Sequence, residues 1–166
     1  MGLVNEDEKI SCNGAYYYNG RMFTGCRNHP ECGGIADAIK YSCNTYFVTI
    51  FRRMVDQYGY YEPGKGLDGF NQFLDHFGLG KKIGVDLSNE KRGFYPTSTY
   101  FDEWYKGQRW NSLWIQSLAI GQGEMLTTNL QLANAAAMLA NRGYYYPPHL
   151  IKATMEGDLK IKREVA

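Results

Sequence analysis

The sequence predicts an α+β chain, mainly helical, with an amino-terminal β-hairpin and short carboxy-terminal strands. Three observations carry that expectation. Tyr16-Tyr17-Tyr18 and Met22-Phe23-Thr24 flank Asn19-Gly20, the dipeptide that suits a two-residue hairpin because both turn positions need positive φ. Apolar residues then recur at helical spacing in several stretches, most clearly at Phe47, Ile50, Phe51, Met54, Val55 and Tyr58. After Tyr144 the helical period gives way to extended runs.

In chain order, the Asn19-Gly20 turn pairs Tyr18 with Arg21, Tyr16 with Phe23 and Asn13 with Cys26. Cys12 then misses Cys26 by one residue, on the opposite face, and a bulge at Gly14 or Gly25 would bring the two together as a disulfide. Cys26, His29 and Cys32 follow in a loop. They offer three metal donors with no second pair, which is a poor match to a zinc site, so the expectation is no metal and no cofactor.

Ile35, Ala38 and Ile39 make one helical stripe that runs to Tyr41. After a turn at Ser42 to Asn44, Phe47 to Tyr58 reads as a helix with Arg52, Arg53, Asp56 and Gln57 on its wet face. Glu62 to Gly66 reads as a loop, and Leu67 to Phe77 as a second amphipathic helix. Residues 79–110 hold no sustained period, and Trp104 and Trp110 are expected to pin this long loop to the core. Thr128 and Gln131 form a capping box for a helix from Asn129 to Asn141, with Leu132, Ala136 and Leu139 on one stripe. His149 to Met155 and Leu159 to Val165 read as strands about a Gly157-Asp158 turn. They make a small sheet with the first hairpin, or they belong to a sheet supplied by residues outside this sequence.

The 166 residues fit one domain, divided into a hairpin and cysteine loop (1–32), a helical part (33–143) and returning strands (144–166). With 44% hydrophobic and 15% aromatic residues, the chain can bury a core. A formal net charge of +1 argues against nucleic acid as a partner, since phosphate binding needs a basic surface. No run of about 18 apolar residues occurs, so no membrane span is expected here.

Ser42-Cys43-Asn44 is the stretch with chemistry to offer. On a helix, residues i and i+2 diverge, whereas in a turn between helices both side chains can face one cleft. A hydroxyl can relay a proton, and a carboxamide both donates and accepts, so the pair suits gripping an amide. Ser and Asn are also ordinary helix caps, which is the competing reading.

These residues stand in register with others further on: Phe77-Gly78-Leu79-Gly80, Gly84-Val85-Asp86-Leu87, Ala119-Ile120-Gly121-Gln122-Gly123, and Thr128-Asn129-Leu130-Gln131-Leu132-Ala133 leading to Ala140-Asn141-Arg142-Gly143. In that order and spacing, residues 10–155 resemble the transpeptidase domain of class B penicillin-binding proteins, most of all the elongation-type branch, penicillin-binding protein 2. The resemblance implies the helical subdomain of a penicillin-binding protein/β-lactamase-like fold. It implies acyl transfer by a Ser-x-x-Lys nucleophile, a Ser-x-Asn motif on the opposite wall and a Lys-Thr-Gly strand. Only the middle motif has a counterpart here. Ser88-Asn89-Glu90-Lys91 fits Ser-x-x-Lys in letters alone, because the nucleophile belongs at a helix N-terminus ahead of Ser-x-Asn.

By resemblance the sequence is therefore a partial transpeptidase domain, starting after the nucleophile helix and ending before the Lys-Thr-Gly strand, and inactive alone. Ser42 would relay a proton between the nucleophile–Lys pair and the departing amine, and Asn44 would hold the carbonyl of the substrate's penultimate residue. Gln122 is a weaker candidate for substrate contact. The implied substrate is the D-Ala-D-Ala end of a peptidoglycan stem peptide, with β-lactams as mimics. The implied partners are membrane proteins of the elongation machinery, on the periplasmic side of the bacterial inner membrane. The alternative is a non-enzymatic, penicillin-binding-protein-like module that binds a peptide or a partner in the same cleft.

Overall fold

The structure, a computed structural model, describes residues 2–151 and the short strands at 153–154, 157–158 and 163–164. Its order is β1 (Ala15–Tyr18), β2 (Arg21–Gly25), α1 (Ile35–Tyr41), α2 (Asn44–Val55), α3 (Pro63–His76), α4 (Ser98–Trp104), α5 (Asn129–Ala140), β3 (Tyr144–Tyr145), β4 (Ala153–Thr154), β5 (Gly157–Asp158) and β6 (Arg163–Glu164), with 3-10 turns at Asp56–Tyr58 and Gln116–Ile120. The α+β, mainly helical expectation holds. The chain divides into two compact units, Met1–Asp68 with Thr97–Gly123, and Gly69–Pro96 with Glu124–Ala166.

In the first unit the hairpin turns where Asn19-Gly20 predicts, with φ of 48° and 74°. Tyr18 faces Arg21 and Tyr17 faces Met22, but the register then slips, so that Tyr16 faces Thr24 and Ala15 faces Gly25. The bulge therefore falls at Phe23, not at Gly14 or Gly25. The extra residue lets Phe23 pack against Tyr16, Val48 and Leu113, while the Thr24 hydroxyl donates to Gln116 at 3.1 Å. Cys26 consequently lies across from Gly14, its N–H donating to the Gly14 carbonyl at 2.8 Å.

Helix α1 ends in a left-handed residue, Ser42 (φ 53°, ψ 51°), whose N–H returns to the Ile39 carbonyl. Ile39 is 65% exposed, so α1 packs through Ala38 rather than through the full expected stripe. Cys43 is the N-cap of α2: its Sγ accepts the Tyr46 N–H at 3.4 Å. Helix α2 thus starts three residues before Phe47, and it gives way to a 3-10 turn after Val55. Its fully buried residues are Tyr46, Val48 and Val55, with Phe51 nearly so.

Arg52, expected on the wet face, is covered instead. It donates to the Tyr16 hydroxyl and to Ser112 Oγ (3.0 Å), pairs with Asp56 (3.3 Å) and lies over the Tyr18 ring. The hairpin folds down onto that face of α2, and helical periodicity carries no trace of such a cover.

Helix α3 begins at Pro63, four residues ahead of the expected start. Proline fits a first helical position because its missing N–H would have no helical acceptor there. Helix α4 lies inside the stretch expected to be a loop, capped by Thr97 Oγ1 on the Tyr100 N–H. Trp110 is buried and donates to Asp102 at 2.7 Å, whereas Trp104 is 62% exposed and pins nothing.

In the second unit the Thr128–Gln131 capping box forms as expected. Gln131 also reaches the carbonyls of Lys81 (2.7 Å) and Arg92 (2.8 Å), tying two loop segments to the start of α5. Helix α5 buries Gln131, Asn134 and Met138, while Leu132 and Leu139 are exposed, so the expected leucine stripe is not its packed face. Asp86 accepts the backbone N–H groups of Leu150 and Ile151, which hold its carboxyl below the usual carboxylate range. Strand β3 pairs with β6 and β4 with β5, so Gly157–Asp158 is strand rather than turn, and the first hairpin forms a sheet of its own. Of the expected strands, Lys152, Met155, Leu159 to Lys162 and Val165 lie outside the described residues.

Candidate active site

Two short helices meeting at a tight corner place the Ser-x-Asn stretch. The left-handed Ser42 reverses the chain between α1 and α2. This conformation costs a non-glycine residue about 1–2 kcal/mol, and strain of this kind concentrates at functional sites. Ser42 is exposed, Cys43 is fully buried, and Asn44 opens α2 with its side chain half-buried. The Asn44 carboxamide donates to the Gly25 carbonyl at 2.9 Å, so the bulged strand β2 sets its orientation.

Asn44 lines a cavity of about 500 Å³, together with Thr24, Gln116, Ser117, Gln122 and Trp114. Gln122 is thus in the same cavity as Asn44, held by its N–H on the Ser117 carbonyl at 3.0 Å. Ser42 is not among the lining residues. The polar groups facing the space are hydroxyls and carboxamides, and no lining residue carries an ionisable side chain. Such a surface can hold a neutral peptide amide by donating and accepting at once. It offers no base to activate a nucleophile.

Lys40, the nearest lysine in sequence, lies over the Tyr41 ring at 4.9 Å. Ser88 sits in an exposed turn rather than at a helix N-terminus. Thr24, Gln116 and Ser117 were not singled out by motif. Gln116 had a readable signal, a polar residue inside the apolar run Leu113 to Ile120.

A second constellation adjoins the motif. The donor atoms of Cys12, Cys26, His29 and Cys43 all lie within 4.8 Å of one another. Cys26 Sγ is 3.4 Å from His29 Nε2 and 4.0 Å from Cys43 Sγ, and the Cys12 thiol donates to Thr45 Oγ1 at 3.2 Å. All four cysteines carry free thiols. The sequence expectation of no metal rests on the lack of a second donor pair beside Cys26, His29 and Cys32. Cys12 and Cys43 are that pair, brought in from distant positions, while Cys32 stays buried at 3.9 Å from His29 Nδ1. Three thiolates and an imidazole suit a four-coordinate ion such as zinc.

Burial acts to raise the Cys26 thiol, but hydrogen bonds from the Thr45 and Asn44 backbone at the start of α2, and from His29 and Cys12, bring it down to about 7. Burial pushes the Cys43 thiol well up. The Pro30 carbonyl and Cys26 both raise His29.

The sequence model of the penicillin-binding protein transpeptidase domain matches residues 1–166, the whole chain. The chain belongs to that family. It is 40% identical over 121 residues to the peptidoglycan D,D-transpeptidase MrdA of Acinetobacter baumannii, a match covering 70% of this chain and 16% of that protein. It is 32% identical over 170 residues to penicillin-binding protein 2A of Bacillus subtilis, covering 96% of this chain and 21% of that protein. The chain therefore spans about a fifth or less of the length of these relatives. Among solved structures, that of Pseudomonas aeruginosa PBP2 in complex with WCK 5153 superposes with a TM-score of 0.72 at 26% identity, covering 96% of this chain and 34% of that one. The complex of PBP2 and MreC from Helicobacter pylori shares the fold, with a TM-score of 0.75 at 20% identity, covering 98% and 28%. No helix among the described residues is long and apolar enough to cross a membrane.

Proposed function

We propose that these residues supply the Ser-x-Asn wall of a peptidoglycan D,D-transpeptidase, which crosslinks stem peptides by serine acyl transfer. The observation that carries the reading is Asn44, oriented by the Gly25 carbonyl at the edge of a cavity lined only by neutral groups. Within it, one Asn44 N–H is committed to Gly25, and the other N–H and the carbonyl are left for a peptide amide. Asn44 binds the carbonyl of the penultimate residue of a D-Ala-D-Ala terminus, and Gln122 lies on the same cavity wall. Ser42, on the exposed left-handed corner, relays the proton between the nucleophile and the departing amine.

The nucleophile and its lysine are not among the cavity residues, and no group here can take their place, so the 166 residues do not acylate by themselves. β-Lactams bind as mimics of the same peptide. The whole protein works on the periplasmic side of the inner membrane, with membrane proteins of the elongation machinery as partners.

Replacing Asn44 by Ala in the full-length protein tests this. Loss of one well-placed polar contact to the reacting amide is expected to lower kcat/KM for a D-Ala-D-Ala peptide by about 10²-fold or more. Unaltered turnover in a folded Asn44→Ala protein would remove Asn44 from the site. Peptide binding with no turnover in the unmodified full-length protein would favour a non-enzymatic module.

A further inference from the structure

The hairpin register separates Cys12 from Cys26 along the strands, yet their sulfurs meet in one cluster. Both are half-buried and reachable from solvent. Cys43 differs from them: it is fully buried, and its sulfur is engaged as the cap of α2. Within the cluster, then, Cys12 and Cys26 are the two thiols an oxidant can reach, and the same two are half of the four-donor set. We propose that Cys12 and Cys26 are an oxidant-sensitive pair whose disulfide and a metal ion on Cys12, Cys26, His29 and Cys43 exclude each other, so that the state of the pair governs how firmly the Ser42–Asn44 corner is held.

The chemistry balances with a disulfide as oxidant. The Cys26 thiolate attacks one sulfur of the oxidant, forming a mixed disulfide and expelling one thiolate. The Cys12 thiolate then attacks Cys26 Sγ, closing the internal disulfide and expelling the second thiolate. The chain loses two electrons, and the oxidant gains them as two thiols. Each sulfur of the new bond has given up its thiolate charge, so only His29 and Cys43 remain as donors. Two ligands do not make a closed zinc site. Cys43 then takes a proton from solvent, and the corner keeps only its backbone and capping contacts.

The consequence reaches the Ser-x-Asn motif because Cys43 is its middle residue. A metal on Cys43 Sγ would tie the corner to the loop bearing Cys26 and His29, as supporting groups around a site commonly do. The metal and thiol measurements do not depend on the acyl-transfer reading, whereas the effect on acylation does.

The test takes the full-length protein, reduced and supplied with zinc, and exposes it to oxidised glutathione. Zinc release is followed with a chromogenic chelator, disulfides by mass mapping, and acylation with a fluorescent penicillin. Zinc is expected to leave in step with a Cys12–Cys26 crosslink, and acylation to slow about 10–100-fold. Dithiothreitol with added zinc should reverse all three changes. In the Cys12→Ser protein glutathione should remain attached to Cys26, with no internal disulfide.

Absence of zinc from the reduced protein overturns the proposal. So does zinc that stays bound beside a Cys12–Cys26 crosslink, or a crosslink that maps to another pair. Exclusion without any change in acylation would remove the link to the Ser42–Asn44 corner. A reduced, zinc-loaded protein that never acylates would instead sink the acyl-transfer reading and leave the exclusion standing.

Discussion

Ser42→Ala in the full-length protein is expected to slow acylation by a labelled penicillin by about 10²–10⁴-fold, the usual contribution of a positioned proton-transfer group. The fold should survive, because Ser42 is exposed and, among the described residues, its hydroxyl makes no hydrogen bond. Its structural task is backbone geometry, the left-handed corner that separates α1 from α2. Ser42→Gly sharpens the test. Glycine adopts φ near +53° without the Cβ clash that serine bears, so this variant should be at least as stable as the parent. It should nonetheless be as slow as Ser42→Ala. A stable Ser42→Gly protein that acylates normally would show that the corner matters for its shape alone and that the hydroxyl has no part in the reaction.

Gly66→Ala is expected to be strongly damaging for a single added methyl group. A Cβ at Gly66 would lie 2.2 Å from the Val55 carbonyl oxygen and 2.6 Å from its carbonyl carbon and Cα. These are backbone atoms, so no rotamer change relieves the contact, and the first turn of α3 must move away from the end of α2. Val55 and Leu67 are both fully buried and would lose packing as it moved. Overpacking commonly costs about 1–3 kcal/mol, and a clash against backbone belongs at or beyond the top of that range. The melting point should fall by several degrees. Gly69→Ala is the matching control: it lies in the same helix with nothing within 4 Å of its Cβ, so helix propensity should make it neutral or stabilising by up to about 1 kcal/mol. Equal melting points for the two variants would mean that α2 and α3 do not approach this closely.

In both units some elements could be read from local chemistry. Asn19-Gly20 places the hairpin turn, and Thr128 with Gln131 starts α5, because both signals act over four residues or fewer. Long-range packing overrode the pattern elsewhere. Arg52 reads as a solvent-facing cation, yet Tyr16, Tyr18 and Ser112 close around it, because the hairpin covers that side of α2. Leu132 and Leu139 read as a packed stripe, but the buried face of α5 carries Gln131, Asn134 and Met138, and the Gln131 amide is drawn inward by the loop carbonyls of Lys81 and Arg92.

The corner between α1 and α2 was legible at Ser42 and Cys43, whereas Asn44 already opens α2 and lines a cavity that Ser42 does not. Thr24 was not legible, because the bulge at Phe23 shifts it in the hairpin register, and a bulge leaves no mark in alternation. The thiol cluster escaped for a related reason. Donors spaced like Cys26 and His29 are visible locally, but Cys12 and Cys43 arrive from separate segments, one of them on the N-cap of α2.

As proposed, residues 1–166 form a wall of the acyl-transfer site and the nucleophile lies outside them. Mass mapping of penicillin adducts measures this directly, on the full-length protein and on the 166-residue chain alone. One adduct is expected on the full-length protein, on a serine outside residues 1–166, and none on the isolated chain. A stable adduct on Ser42 or Ser88, in either protein, would contradict it and make this chain the bearer of the nucleophile.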